Sequence, residues 1–120
     1  MKEILFAQAD FGQSEIKAVQ RVLAGTWLAA GPEVLAFEEE FAQYVESPYA
    51  VCVNSGSSGL LLALKALELP AGSKVLTSAC GFPATVAPIL HCGLIPVYVD
   101  YALPSHDADL EQVEKLVQAE

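Results

Sequence analysis

An α/β fold built on a parallel sheet is the class this sequence predicts, and three observations predict it. From Tyr49 onward short apolar runs alternate with helical patterns, in the order strand, helix, strand, helix, strand, helix. The strand candidates are near-continuous apolar runs, as strands covered on both faces are. The helix after the first of them is apolar on nearly every side. Successive strands separated by helices lie parallel, joined by right-handed crossovers. Two amphipathic helices precede this region.

The elements follow in order. Ser14 is placed to cap a first helix that runs to Gly25, with Ile16, Val19, Val22 and Leu23 on one face. Gly25 suits a left-handed residue after its end. The loop Thr26-Trp27-Leu28-Ala29-Ala30-Gly31 leads to Pro32, which fits the first position of a second helix, where a missing N–H does no harm. Val34, Phe37, Phe41, Tyr44 and Val45 form the apolar stripe of that helix, and Glu33, Glu38, Glu39 and Glu40 its solvated side. Ala50-Val51-Cys52-Val53 reads as a first strand, residues 57–67 as a buried helix, and Lys74-Val75-Leu76-Thr77-Ser78 as a second strand. A helix over 82–91 begins at Pro83 and is expected to kink at Pro88. Ile95-Pro96-Val97-Tyr98-Val99-Asp100 makes a third strand. Asp107 or Asp109 opens a last helix carrying Leu110, Val113, Leu116 and Val117 on one face. Residues 1–48 therefore read as a helical segment and 49–120 as the start of an α/β domain.

Composition narrows the function classes. At 120 residues and 53% hydrophobic, the chain suffices for one domain with a core. Its net charge of −9, with six Lys plus Arg and no basic cluster, argues against a nucleic-acid partner. No apolar run is long enough to span a bilayer, and the start MKEILFAQADFG lacks the pattern of a secretory signal. Cys52, Cys80 and Cys92 are isolated and odd in number. They read as reduced, buried thiols of a cytoplasmic protein rather than as a disulfide or metal site, and their spacing supplies no iron–sulfur cluster pattern, which neither supports nor excludes use of a cluster.

Two stretches carry candidate chemistry. In Asn54-Ser55-Gly56-Ser57-Ser58-Gly59 a strand gives way to a helix. Ligands of parallel sheets bind at the carboxyl ends of the strands. There the free N–H groups of a helix start and the helix dipole favour an anion. Gly56 allows close approach, and Ser57 and Ser58 add hydroxyl donors. A phosphate cradle and a plain Ser/Gly turn with a cap both fit. The spacing matches no P-loop, GxGxxG fingerprint or nucleophile elbow. In Thr77-Ser78-Ala79-Cys80-Gly81-Phe82-Pro83-Ala84-Thr85, Phe82 sits at the next strand-to-helix junction. Its ring either stacks on a flat heterocycle or packs under the loop.

Taken together, Gly25-Thr26-Trp27-Leu28 with Gly31-Pro32, Phe37-Glu38, Asn54-Ser55-Gly56-Ser57-Ser58, Gly81-Phe82-Pro83-Ala84-Thr85 and Pro96-Val97-Tyr98-Val99-Asp100 resemble the DegT/DnrJ/StrS family over nearly the whole chain. These are pyridoxal-phosphate enzymes acting on nucleotide-linked keto sugars. The resemblance implies an aspartate aminotransferase-like fold, present in part, and a pyridoxal 5'-phosphate or pyridoxamine 5'-phosphate cofactor. It implies that Gly56, Ser57 and Ser58 hold the cofactor phosphate and that Phe82 stacks on the pyridine. It also places Trp27, Leu28 and Gly31 near the sugar nucleotide, and implies a homodimer. GFPAT followed by APIL is most similar to the branch that removes the 3-hydroxyl of nucleotide-linked 4-keto-6-deoxyhexoses.

The chain departs from the family pattern in several places. Ala29-Ala30 stands where a hydroxyl-bearing pair is usual. Gly59 replaces an alanine, at roughly 1 kcal/mol if interior to the helix. His106-Asp107 stands where Tyr or His followed by Asn is usual, so His106 is given no role, and His91 reads as structural. Asp100 reads as a structural or turn residue. None of Lys2, Lys17, Lys65, Lys74 or Lys115 suits the imine-forming position, so no catalytic residue is assigned.

The expectation is therefore the front part of a sugar aminotransferase or sugar 3-dehydratase, inactive alone, in deoxysugar, aminosugar or lipopolysaccharide biosynthesis. Two alternatives stand beside it. One is a stand-alone α/β module binding a phosphate-bearing ligand. The other is a structural or regulatory remnant that binds a partner.

Overall fold

The computed structural model describes residues 7–25, 27–103 and 107–119. Lys2, Thr26 and His106, considered above, lie outside them. The chain forms two compact units that meet in sequence between Cys52 and Val53.

The first unit holds α1 (Gln13–Ala24) and α2 (Pro32–Tyr44). The cap of α1 differs from expectation. Ser14 lies inside the helix and Gly12 is the N-cap, because the Glu15 carboxylate reaches back to accept the Gly12 N–H at 2.6 Å. Gly12 has no side chain to reciprocate. Gly25 ends α1 in an extended conformation (φ −80°, ψ 175°), not the left-handed one. Pro32 does begin α2. That helix ends in a Schellman turn, in which Ser47 N–H bonds to Ala42 O at 2.9 Å and Glu46 N–H to Gln43 O at 3.2 Å. Glu46 holds the left-handed position there (φ 54°). The expected solvated side of α2 is engaged at two points. Glu33 pairs with Arg21 of α1 at 2.6 Å, and Glu38 accepts the Cys52 N–H at 2.6 Å.

The second unit is built on a strand–helix–strand unit. β1 (Lys74–Ser78) and β2 (Ile95–Val99) pair in parallel, with Lys74 opposite Ile95 and Ser78 opposite Val99. Between them α4 (Pro83–His91) packs on the strands, and α3 (Gly56–Ala66) packs on α4. Glycine is required at the two entrances of the pair. Gly72 (φ 83°) donates to Gly93 O at 2.8 Å, and Gly93 (φ 70°) closes a Schellman turn after α4. In that turn Leu94 N–H bonds to Ile89 O at 3.0 Å, and both residues are buried. With Val99 and Thr77 they form the centre of this unit's core. α4 continues through Pro88, which is itself buried.

Three expectations need correction. Residues 50–53 form no strand, because no partner pairs with them among the described residues, and a strand exists only through its ladder. The parallel sheet therefore has two strands there, not three. Nor are its faces and α3 fully covered, since Leu60, Leu62, Leu76, Ile95 and Tyr98 are exposed. A short antiparallel pair, β3 (Tyr101–Ala102) with β4 (Asp107–Ala108), was not foreseen. Asp109 opens α5 (Leu110–Gln118), accepting the N–H groups of Glu111 and Gln112 at 3.0 and 3.2 Å. The three cysteines are free thiols, with Cys52 and Cys80 exposed rather than buried.

Candidate functional site

Ser55 caps α3. Its extended backbone (φ −164°, ψ 157°) lets its Oγ accept the Ser58 N–H at 3.2 Å. The Ser58 hydroxyl donates to Asn54 Oδ1 at 2.7 Å. Asn54, Ser55 and Ser58 therefore build the turn, which is the structural reading of the SGSSG stretch. Gly56 and Ser57 are left over. Their N–H groups open the helix and lie outside its own ladder. The Ser57 hydroxyl makes no hydrogen bond among the described residues. A Cβ built on Gly56 would meet nothing within 4 Å, so the space there is open. Open space, two free donors and the positive end of a helix suit a phosphate dianion.

The second part lies beyond the carboxyl end of β1. Ser78, Ala79, Cys80, Gly81, Phe82 and Pro83 line a cavity of about 490 Å³ together with Val86, Leu90 and Tyr98. Phe82 is the N-cap residue of α4, and its carbonyl accepts the Thr85 N–H at 2.9 Å. The ring is 82% exposed, so it is not the packed loop residue that was one of its two readings. A bare aromatic face beside a cavity suits a flat ring.

Beneath this loop is a hydrogen-bond cluster that the sequence did not reveal. Tyr101 Oη lies 2.7 Å from both Ser78 Oγ and the Cys80 carbonyl, and the Cys80 N–H donates to Ser78 Oγ at 3.1 Å. Asp100 Oδ1 accepts the Tyr101 N–H at 2.8 Å.

The third part belongs to the first unit. Trp27 Nε1 donates to the Ala30 carbonyl at 2.9 Å, closing the loop on itself. Ala29 and Ala30 bring no side-chain hydroxyl, but the loop still forms this bond through its backbone. Trp27 and Leu28 remain exposed, and Gly31 is half-buried under the indole.

Gly56, Ser57 and Ser58 thus share one helix start. Phe82 stands by the cavity, whose lining does not include them. Trp27, Leu28 and Gly31 share one loop. Lys74 opens β1 at the strand end opposite Ser78, and no described lysine lines the cavity. Among the described residues no group of three or more His, Cys, Asp or Glu is arranged for a metal ion, and no helix is long and apolar enough to cross a membrane.

Comparison with known proteins adds the following. The chain is 44% identical over 89 residues to the spore coat polysaccharide biosynthesis protein SpsC of Bacillus subtilis, covering 74% of this chain and 23% of SpsC. It is 36% identical over 114 residues to the lipopolysaccharide biosynthesis protein RfbH of Salmonella typhimurium, covering 88% and 26%. The chain thus spans about a quarter of the length of these curated relatives. In structure it is similar to the GDP-4-keto-6-deoxy-D-mannose-3-dehydratase of E coli with bound hydrated PLP. That match has a TM-score of 0.86 at 30% identity and covers 91% of this chain and 30% of that one. The fold is thus the α/β, parallel-sheet fold of pyridoxal-phosphate sugar enzymes, over the part of it that the chain spans. Residues 9–120 match the model of the DegT/DnrJ/EryC1/StrS aminotransferase family.

Proposed function

Because the chain belongs to the DegT/DnrJ/EryC1/StrS aminotransferase family, we propose that it is part of a pyridoxal-phosphate enzyme acting on a nucleotide-linked 4-keto-6-deoxy sugar. The reaction is transamination or 3-dehydration, in deoxysugar, aminosugar or lipopolysaccharide biosynthesis. Residues 49–120 are the first part of the cofactor domain, and residues 1–48 carry the loop that meets the sugar nucleotide. The observation that carries this reading is Phe82, an exposed ring beside an open cavity at the carboxyl end of a parallel strand.

Each residue has a task of its own. The Gly56 and Ser57 N–H groups and the Ser57 hydroxyl hold the cofactor phosphate. Ser58 acts mainly through the cap, since its N–H is committed to Ser55 and its hydroxyl proton to Asn54. Phe82 covers one face of the pyridine and excludes water from it. When bound, pyridoxal phosphate supplies an electron sink. Trp27, Leu28 and Gly31 give the sugar nucleotide a stiff, largely apolar edge. Free isolated thiols support a cytoplasmic setting, and the homodimer rests on the family resemblance.

The test uses the protein as its gene encodes it. Pyridoxal 5'-phosphate and phosphate-free pyridoxal are titrated in turn, with binding followed by induced circular dichroism of the cofactor band. The phosphate form is expected to bind at least about tenfold more tightly, as charge-assisted bonds at a helix start require. Ser57→Ala and Phe82→Ala should each weaken it. Equal binding of the two compounds rules the reading out.

A further inference from the structure

The loop between β1 and α4 has to hold Phe82 without help from packing. The ring is exposed, and a Cβ on the preceding Gly81 would meet nothing within 4 Å. Phe82 is therefore oriented only through the backbone on its two sides. On the helix side, Pro83 and the Thr85 bond fix it. On the strand side, the last fixed point is Cys80.

Both backbone groups of Cys80 are taken. Its N–H goes to Ser78 Oγ at 3.1 Å, and its carbonyl accepts from Tyr101 Oη at 2.7 Å. Each hydroxyl has one proton. The Ser78 hydroxyl lies 2.7 Å from the phenol oxygen and 2.9 Å from the same carbonyl, so while the phenol donates to the carbonyl the one Ser78 proton is shared between those two acceptors. Tyr101 itself is anchored from behind. It pairs with Ala108 in the β3–β4 ladder, and its N–H is held by Asp100. The Asp100 N–H is held in turn by Gln112 of α5 at 2.6 Å.

We propose that Tyr101 is a positioning residue that fixes the Cys80 carbonyl and thereby sets the ring of Phe82 for cofactor stacking. This rests on the reading of Phe82 given above. Tyr101 need not touch the cofactor, because it acts through the backbone from Cys80 to Phe82.

The test is a double-mutant cycle in the full protein, read as the dissociation constant of pyridoxal 5'-phosphate and as its induced circular dichroism. Tyr101→Phe removes one oxygen and keeps the ring. It should weaken binding about fivefold and reduce the induced signal, the effect of one neutral hydrogen bond. In a Phe82→Ala background, Tyr101→Phe should change the constant by less than about twofold, since there is no ring left to set. If Tyr101→Phe does not fold, Ser78→Ala runs the same cycle from the other end of the cluster. Equal losses in both backgrounds, or no loss in either, overturn the role of Tyr101 and leave Phe82 standing. Unchanged binding in Phe82→Ala alone overturns the stacking reading, and the inference falls with it.

Discussion

The indole of Trp27 occupies the space where Gly31 would carry a side chain. A Cβ at Gly31 would fall 2.5 Å from Nε1, while the same nitrogen donates to the Ala30 carbonyl at 2.9 Å. Gly31 is extended (φ −165°), so glycine is needed there for space and not for a left-handed backbone.

Gly31→Ala should therefore push the indole off its seat and break the Ala30 bond. Trp27 is the one tryptophan of these 120 residues, so the fluorescence of this stretch of chain reports the loop. The emission maximum should move to the red and quenching by acrylamide should rise, with helix content unchanged. An unaltered spectrum sinks this account of the loop.

Ser55 and Ser57 should separate stability from binding. Ser55→Ala removes the cap of α3 and should cost about 1 kcal/mol in urea unfolding. Ser57→Ala removes a hydroxyl with no partner among the described residues, and should stay within about 0.5 kcal/mol. Cofactor affinity should show Ser57→Ala as clearly impaired. If Ser57→Ala costs the larger share of stability, the division of labour at this turn is reversed.

Thr77 is 8% exposed, and its Oγ1 finds no hydrogen-bond partner among the described residues. Thr77→Val keeps the shape and removes the stranded hydroxyl, so it should stabilise the fold by about 1 kcal/mol or more. A loss on thermal unfolding instead shows that the hydroxyl is satisfied by water.

The Glu15 carboxyl is held below the ordinary glutamate value by its own backbone N–H, by that of Gly12 and by Ser14. A depressed folded value stabilises the charged form. Its contribution is present above the unfolded value, about 4.3, and is lost as pH falls through the lower folded value. The Gly12 amide resonance should therefore titrate with a midpoint below that of a free glutamate, and the start of α1 should loosen in the same range. A midpoint at the free value removes this cap from α1.

What the sequence made legible was local chemistry. Pro32 at the start of α2 and the apolar runs of β1 and β2 each announce themselves within a few residues, and the sequence narrows the cap of α5 to Asp107 or Asp109, of which the structure uses Asp109. What it hid depended on distant partners or on unusual residues. Residues 50–53 have strand composition, but pairing is not written in composition. Glu46 and Glu68 take the left-handed positions after α2 and α3, where glycine is the usual signal, while Gly25, which carries that signal, is extended. For the candidate site, the place of Gly56, Ser57 and Phe82 at strand-to-helix junctions is what makes them candidates, and the structure puts Gly56 and Ser57 at the start of α3 and Phe82 at the cap of α4. Tyr101 could not, because its hydroxyl meets a carbonyl 21 residues earlier in the chain. Ser58 was named as a phosphate donor, and the turn geometry shows how much of it the cap already uses.

The parallel pairing of β1 with β2 closes wholly between Lys74 and Val99, with its crossover helix inside that span. Such a unit closes over about twenty residues, from Lys74 to Ile95, and the entropic cost of closure grows only slowly with that length. During synthesis it is able to assemble as soon as Val99 clears the ribosome. Residues 50–53, made earlier, have no such neighbour among the described residues. The order in which this chain acquires structure is therefore not the order in which it is translated, and the exposed apolar side chains of α3 mark where a chaperone would bind the nascent protein.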